Sequence, residues 1–512
     1  MPDHDVAALA DLPDGRPHPI EVDGSQILLI RDGESVRAIG ATCPHAGAPL
    51  AEGVLYRDRI ICPWHKATFC TRTGVLLEPP AVDDLPRYRV RVQGQRIHVS
   101  LPAEQSASRT LPCDQRLFAI IGAGGAGALA AQTLRQAGFT GRIVILDREN
   151  RVPYDRTLLS KYHLSGEPGA EKTPLQSQSF YRQQRIERRT ADVTMLDAAH
   201  KTIRCADGNV LTYDVALIAT GAVPISPAFP GSQLQNVFVL RSKADADAIL
   251  AQAERSERAV ILGASFIGME VAASLRERGL QVTVVGKEKA PFEKQLGASI
   301  GNAFVGLHQK QGVNFRLGQE IQALEGNGRV QIVGLSNGER LAADLVVVGF
   351  GVKPATAFVQ GIPLNDDGSV TVNAHLKAAD GLYAAGDIAR FPLQGDGGPV
   401  RVEHWRVAEQ QGRTAALNMM GQSVRYDAVP VFWTIQYMKR LDYIGHAIEW
   451  DDIIIHGDLA KPRFLAYYVK NGLVIAAAGL DRDQDTAALI HLFEKQRDWT
   501  PDALGSNPSG LL

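Results

Sequence analysis

The 512-residue chain has no excess of charge of either sign: 54 Lys and Arg stand against 56 Asp and Glu, a formal charge of −2. So even a balance leaves no electrostatic footprint for nucleic acid or for an acidic membrane surface. It also lacks any uncharged apolar run approaching the roughly 18 residues of a membrane span. The opening Met1-Pro2-Asp3-His4-Asp5 has neither the apolar core of a secretory signal nor the Arg-rich, acid-poor character of a transit peptide. Cytoplasmic residence is the expectation. Cysteine is scarce, and five residues in a chain this long make no disulfide scaffold. Cys43 and Cys62 each have a histidine close by, which suggests metal, whereas Cys70, Cys113 and Cys205 read as buried or incidental thiols. Glycine is plentiful at 49 residues, and it clusters where strand patterns turn into helix patterns.

At about 150 residues per domain the length allows three or four domains. Residues 1–103 read as short strands between Gly, Pro and Asp turns: Ile20–Val22, Gln26–Ile30, Val36–Ile39, Ile60–Cys62, Tyr88–Val92 and Arg96–Ser100. That is the pattern of a small antiparallel β domain. The small, polar, Pro-bounded stretch over 104–114 reads as a linker. From residue 115 the pattern changes. Phe118–Ile121 is a continuous apolar run, followed by a glycine turn, a helix pattern over Leu129–Ala137 and a second run at Ile143–Leu146. This is the β-turn-α-β unit of a parallel sheet. It returns at Ala259–Leu262, a glycine turn, Val271–Arg278 and Val282–Val285. Two such units predict two dinucleotide-binding domains. Strands resume from about residue 429, where Asn471-Gly472 between Phe464–Val469 and Leu473–Ala478 predicts a tight hairpin.

The most specific motif is Cys43-Pro44-His45, then, after sixteen intervening residues, Cys62-Pro63-Trp64-His65. Each half offers one thiolate and one imidazole from a short loop stiffened by proline. Two sulfide-bridged irons need four protein ligands, and two Cys on one iron with two His on the other give the Rieske arrangement. Zinc is the rival for a Cys2His2 set, but zinc fingers place paired Cys before paired His, whereas here they alternate. High-potential Rieske proteins carry an extra cysteine in each loop; the corresponding places here are Ala48 and Trp64. With fewer hydrogen bonds to the sulfurs the reduced cluster is less stabilised, so a potential on the order of −150 mV is expected.

Gly122-Ala-Gly124-Gly-Ala-Gly127 follows a strand and opens a helix, and Asp147 ends the next strand 20 residues after Gly127. Glycines permit the turn and bring a pyrophosphate to the helix N-terminus, while the acid takes the ribose hydroxyls. Beyond it lie Val152-Pro-Tyr-Asp-Arg156-Thr-Leu-Leu-Ser-Lys161, Leu217-Ile-Ala-Thr220-Gly221, Leu240-Arg241, Gly381-Leu-Tyr-Ala-Ala-Gly386-Asp387-Ile388 and Glu403-His404-Trp405. Together these resemble the ferredoxin reductases of oxygenase systems, which group with putidaredoxin reductase and the apoptosis-inducing-factor-like flavoproteins. With the N-terminal domain included, the chain is similar to the Rieske-fused, apoptosis-inducing-factor-3-like members.

The resemblance implies a multidomain protein: an all-β Rieske domain (1–103), a linker (104–114), two glutathione-reductase-like α/β dinucleotide-binding domains (FAD at 115–240 and 366–428, NAD(P)H at 241–365) and an α+β C-terminal interface domain (429–512). It implies FAD in the first site, with Gly122, Gly124 and Gly127 at the pyrophosphate and Asp147 at the ribose. Arg156 and Lys161 would lie by the flavin, Thr220, Gly221, Arg241, Gly386 and Asp387 would hold the cofactor, and His404 and Trp405 would approach its ring. Thr157-Leu158 departs from the family's Pro-Pro. No Cys-x4-Cys dithiol occurs over Tyr154–Leu164, so electrons cannot leave that way, and the tethered cluster is the expected exit.

The second turn, Gly263-Ala-Ser265-Phe-Ile267-Gly268-Met-Glu270, resembles the nicotinamide-nucleotide turn, with Ser265 for the middle glycine. The resemblance places Glu270 near the nicotinamide and in reach of Lys161, and adds Gly286, Lys287 and Gly351 to the nucleotide set. Lys161, Glu270 and Trp405 are the expected catalytic groups. The acid that usually ends this strand and repels a 2′-phosphate is absent; Gly286 is followed by Lys287-Glu288-Lys289, so NADH is favoured and NADPH stays open. The expected activity is NAD(P)H oxidation through FAD and a 2Fe–2S cluster to an external oxygenase or cytochrome. The alternative is a slow-turnover redox-responsive signalling protein. A ring-hydroxylating oxygenase would need a mononuclear iron domain that has no room after residue 115. A homodimer is left open, as is docking of the Rieske domain on its own flavin or on another subunit's.

Overall fold

The computed structural model describes residues 3–104, 114–167, 174–393, 398–461, 463–495 and 498–512. The linker expected over 104–114 lies outside the described residues except at its two ends, as does Cys113. The N-terminal domain is built on a six-stranded antiparallel sheet in the order Asp3–Ala8, Arg96–Glu104, Arg87–Gln93, Ser35–Gly40, Ser25–Asp32 and Pro17–Val22. A second sheet is made of strands of three residues each, Val54–Tyr56, Arg59–Ile61, Thr68–Cys70 and Leu76–Glu78. Of these four only Arg59–Ile61 was signalled by the sequence, because three residues are too few to establish a period of two.

The second layer of the molecule begins at β1 (Leu117–Ile121), which runs into α1 (Gly125–Gln136) and β2 (Arg142–Asp147). The helix starts four residues before its apolar pattern does, because its first turn is glycine and alanine. Five parallel strands and an antiparallel edge form the sheet: Ile186–Thr190, β2, β1, Val215–Ile218, Leu382–Ala384 and Lys377–Ala379. The unbroken apolar run of β1 follows from cover on both faces, which leaves Phe118, Ala119 and Ile120 with no exposure at all. The unit recurs as β3 (Arg258–Leu262), α2 (Phe266–Glu277) and β4 (Gln281–Gly286), in a five-stranded parallel sheet with Val237–Val239, Leu345–Val348 and Asn314–Leu317.

The chain then returns to the first sheet and enters α3 (Trp405–Met419), whose Gly412 lets it press onto the Ala126 carbonyl of α1. The C-terminal unit is an antiparallel sheet of β5 (Val431–Gln436), β6 (Lys439–Gly445), Leu473–Leu480, Arg463–Lys470 and Asp452–Asp458, covered by α4 (Asp483–Lys495). Its hairpin turns at Asn471 and Gly472, with φ of 52° and 77°, the double left-handed conformation that this dipeptide favours.

The N-terminal domain packs on its own chain, between α3 and the C-terminal unit. Arg406, buried on α3, donates to the Pro79 and Lys66 carbonyls at 2.9 and 3.4 Å; Gln410 donates to Glu78 at 2.6 Å and Arg413 to the Leu76 carbonyl at 2.8 Å. From the other side Arg440 donates to the Pro63 carbonyl at 3.0 Å, and the Tyr56 ring lies 4.0 Å from that of His491. Val54 and Ile61 complete the contact in an apolar cluster with Ala487 of α4.

Candidate functional site

Two loops of the N-terminal domain carry the Cys-His pairs, and they are closed by the same bond. Cys43 N donates to Ala48 O at 2.9 Å, and Cys62 N donates to Ala67 O at 2.8 Å. A six-residue loop so closed turns its Cys and His side chains to one side. The four candidate ligands meet as two pairs. Cys43 and Cys62 face one another closely enough that each shifts the other, Cys43 upward and Cys62 downward. The Nδ1 atoms of His45 and His65 stand 3.1 Å apart. Two nitrogens on one tetrahedral ion at about 2.1 Å are separated by about 3.4 Å. Burial keeps His65 well below its ordinary range, which favours the neutral imidazole that a metal binds. Among the described residues no three His, Cys, Asp or Glu side chains converge as they would on a single ion. Two pairs fit two irons better than one zinc.

The neighbours of the pairs come from other domains. His45 Nε2 lies 3.9 Å from Asp155, and the His65 ring is 4.8 Å from that of Trp433 on β5. Lys66, the next residue, is 1% exposed, with its ammonium 2.8 Å from Asp442 of β6.

Beside this centre a cavity of about 670 Å³ opens at the C-terminal edge of the first parallel sheet. Gly122, Gly124, Asp147, Arg156, Thr220, Gly221, Arg241, Ile267, Gly386, Asp387 and Trp405 all line it. Gly122 has φ of 98°, and a Cβ there would collide with the Ala219 carbonyl. At Gly124 a Cβ would meet nothing within 4 Å, which marks open space over the start of α1, where the backbone N–H groups of a first helical turn are unpaired. Gly127 sits inside α1 against the Gly122 carbonyl. Burial raises the Asp147 carboxyl. Arg156 is held by Glu149 at 2.6 Å and donates to the Arg241 carbonyl at 2.9 Å; Arg241 pairs with Asp387 at 3.2 Å. The volume, the open helix start and the acid at the strand end fit a dinucleotide with a ring system.

Lys161 lies just behind the cavity wall. Its ammonium is 3.1 Å from Glu270 of α2, and both are buried. Ser160 also donates to Glu270, and Thr434 of β5 donates at 2.7 Å, so the carboxylate gathers groups from two other domains. In the second glycine turn Ser265 does more than stay small: its hydroxyl accepts from Gly268 N at 3.2 Å and caps α2. Gly263 and Gly268 flank it. Gly286 ends β4 where a Cβ would press on Ala264 and Leu317 at 3.1 Å, so that position has little room for an acidic side chain. Lys287 is 76% exposed and pairs with Glu320, while Glu288 pairs with Lys294, each at 3.4 Å. Gly351 stands in an exposed loop at φ 95°.

The start of α3 joins the two centres. Trp405 packs against Gly125 of the glycine turn; His404 is the N-cap residue but makes no capping bond, and its ring lies 4.5 Å from that of Phe432. Burial, then His446, pushes His404 down to about 3, so it adds no charge to the helix start. Glu409, one turn on, is buried, and burial followed by the charge of Asp155 raises it well above the ordinary range. Asp155, Thr434, Lys66 and Glu409 were not singled out by sequence reasoning. Asp155 lay inside a stretch that resemblance had marked; the partners of the other three come from distant parts of the chain, which no local pattern signals.

Comparison with known proteins agrees with this geometry. Residues 117–412 match the model of the pyridine nucleotide-disulphide oxidoreductases, residues 3–89 the Rieske [2Fe-2S] domain and residues 431–511 the reductase C-terminal domain. Apoptosis-inducing factor 3 of Mus musculus is 37% identical over 511 residues, covering 96% of this chain and 84% of the relative. The ferredoxin reductase subunit of 5,5'-dehydrodivanillate O-demethylase from a Sphingobium species is 33% identical over 72% of this chain and 90% of its own. Among solved structures, the covalent putidaredoxin reductase–putidaredoxin complex superposes with a TM-score of 0.72 at 29% identity, over 77% of this chain and 96% of that one.

Proposed function

The chain belongs to the pyridine nucleotide-disulphide oxidoreductase family, among its ferredoxin-reductase-type members and with an N-terminal Rieske domain, and from that premise we propose that it oxidises NAD(P)H and delivers electrons through the N-terminal domain to an external acceptor such as an oxygenase or a cytochrome. It is an NAD(P)H-dependent flavoprotein oxidoreductase whose cofactors are FAD and a Rieske 2Fe–2S cluster. When bound, FAD supplies hydride acceptance and one-electron release, and the cluster supplies a one-electron site. The protein's part is to position, to insulate and to hold charge.

In this reading Cys43, Cys62, His45 and His65 hold the cluster. Gly122, Gly124 and Gly127 hold the flavin pyrophosphate, Asp147 the ribose, and Arg156, Thr220, Gly221, Arg241, Gly386 and Asp387 the rest of the cofactor, with His404 and Trp405 at its ring. Gly263, Ser265, Ile267, Gly268, Gly286, Lys287 and Gly351 shape the nicotinamide-nucleotide site. Lys161 and Glu270 place a balanced charge pair behind the ring. Domain limits at 103, 114, 240, 365 and 428 belong to the same reading. NADH is the favoured donor, because Glu288 stands two residues past the end of β4, near the place of the acid that takes the ribose 2′-hydroxyl.

The observation that carries the proposal is the docked N-terminal domain, with one ligand histidine beside Asp155 and the other against Trp433, each residue belonging to the flavoprotein half. Anaerobic titration of purified holoprotein with NADH and, separately, NADPH tests it: visible spectra should show flavin bleaching and EPR a reduced Rieske signal, with NADH the better donor. A cluster left oxidised after the flavin has bleached would refute the series arrangement. Slow turnover, with an oligomeric state that follows reduction, would favour the signalling role instead.

A further inference from the structure

We infer that Asp155, from the flavin-binding half, is the carboxylate that orients the cluster ligand His45 and places a negative charge beside the cluster whenever the N-terminal domain is docked. This rests on the assignment of Cys43, His45, Cys62 and His65 as cluster ligands.

Both imidazoles turn Nδ1 toward one another, which leaves Nε2 as the outward nitrogen of each ring. A metal-bound imidazole donates its second N–H to an oxygen, and that partner fixes the tautomer and the ring orientation. For His45 the group facing Nε2 is the Asp155 Oδ2 oxygen, at 3.9 Å. That separation is an ion contact and longer than a hydrogen bond. Asp155 is built to be held there. Its side chain is 7% exposed, and its other oxygen, Oδ1, accepts from Thr157 N at 2.7 Å, capping the short helical turn Arg156–Leu158. The adjacent Arg156 guanidinium, the obvious cation to neutralise it, is engaged with Glu149 instead. His65 is treated differently. It faces the Trp433 indole, an apolar ring rather than an oxyanion.

Two consequences follow from the geometry. The same short stretch lines the flavin cavity through Arg156 and Thr157 and touches the cluster ligand through Asp155, so one backbone segment registers the two centres on each other. A fixed negative charge beside the ligand also disfavours adding an electron to the cluster, so its removal makes reduction easier.

The test uses full-length holoprotein carrying Asp155→Asn, which keeps an oxygen for Thr157 N and loses only the charge, and Asp155→Ser, which keeps a capping hydroxyl but withdraws from His45. The cluster is titrated at one pH with EPR detection, and pulsed EPR resolves the nitrogen couplings of the two histidines. The expected result is two inequivalent histidine couplings in the parent, a change in one of them only in each variant, and a reduction equilibrium shifted at least tenfold toward the reduced cluster, about 59 mV for one electron. Couplings unchanged, with an equilibrium within twofold of the parent in both variants, would overturn the role of Asp155. A parent cluster without histidine nitrogen couplings would overturn the ligand assignment beneath it, and the inference with it.

Discussion

The two candidate ligand loops share a backbone and differ in how deeply they are buried. In each, the Cys amide closes on a carbonyl five residues on, and the residue four past the cysteine adopts a left-handed conformation, φ 80° at Gly47 and 65° at Lys66. In the first loop Thr42, Pro44, Ala46 and Gly47 are exposed; in the second Pro63, Lys66 and Ala67 are buried against the C-terminal unit. Glycine takes the left-handed position in the exposed loop at no steric cost. The second loop carries lysine there, against conformational preference, and uses its length to reach Asp442. The first loop meets the flavoprotein half at His45, whereas the second also anchors it through the buried Lys66.

The largest effect should come from removing a ligand. His65→Ala is expected to abolish the Rieske EPR signal and cut acceptor reduction more than about 100-fold, with flavin bleaching by NADH retained; iron content and stopped-flow absorbance check both halves. Next is the lock of the second loop. Lys66→Met takes one cation from the buried Asp442, which keeps Arg440 and the Thr486 hydroxyl, and should cost about 2–3 kcal/mol, whereas Gly47→Asn, at the equivalent exposed position, should stay within about 1 kcal/mol. Denaturant unfolding of the two variants side by side gives the difference, and equal costs would erase the contrast between the loops. Smaller still is Thr434→Val, which takes one donor from the Glu270 carboxylate and should slow flavin reduction by NADH about three- to tenfold, read by stopped flow.

The smallest is a pH effect on α3. Folding raises the Glu409 carboxyl above its unfolded range, so between the two values the native state holds more protons than the unfolded chain. The stability tied to this group is therefore full below the ordinary glutamate range and falls as pH rises through the folded value. Glu409→Gln removes the titrating group, and melting temperature should then decline less from pH 6 to pH 9 than in the parent.

The halves of the site differ in how far the chain announces them. Cys43-Pro-His45 and Cys62-Pro-Trp-His65 are local motifs whose chemistry is legible from residue type and spacing, and the hairpin at Asn471-Gly472 and both β-turn-α units were equally plain, because each is decided within about 30 residues. What holds these parts together was not. Lys66 meets Asp442, Thr434 meets Glu270 and His45 faces Asp155 across long stretches of sequence. Nothing in the local pattern of a lone lysine, threonine or aspartate distinguishes such a partner from a solvated surface residue. Ser265 shows the intermediate case: its size was legible as a glycine substitute, and its capping bond to Gly268 appeared only with the helix.

The central claim is that flavin and cluster work in series within one docked polypeptide. Rapid mixing of the anaerobic holoprotein with NADH, followed by freeze-quench EPR over a tenfold range of protein concentration, addresses it directly. A cluster that is reduced after the flavin at a rate independent of protein concentration is the predicted result. A rate that scales with concentration would mean that electrons pass between molecules, and would contradict it.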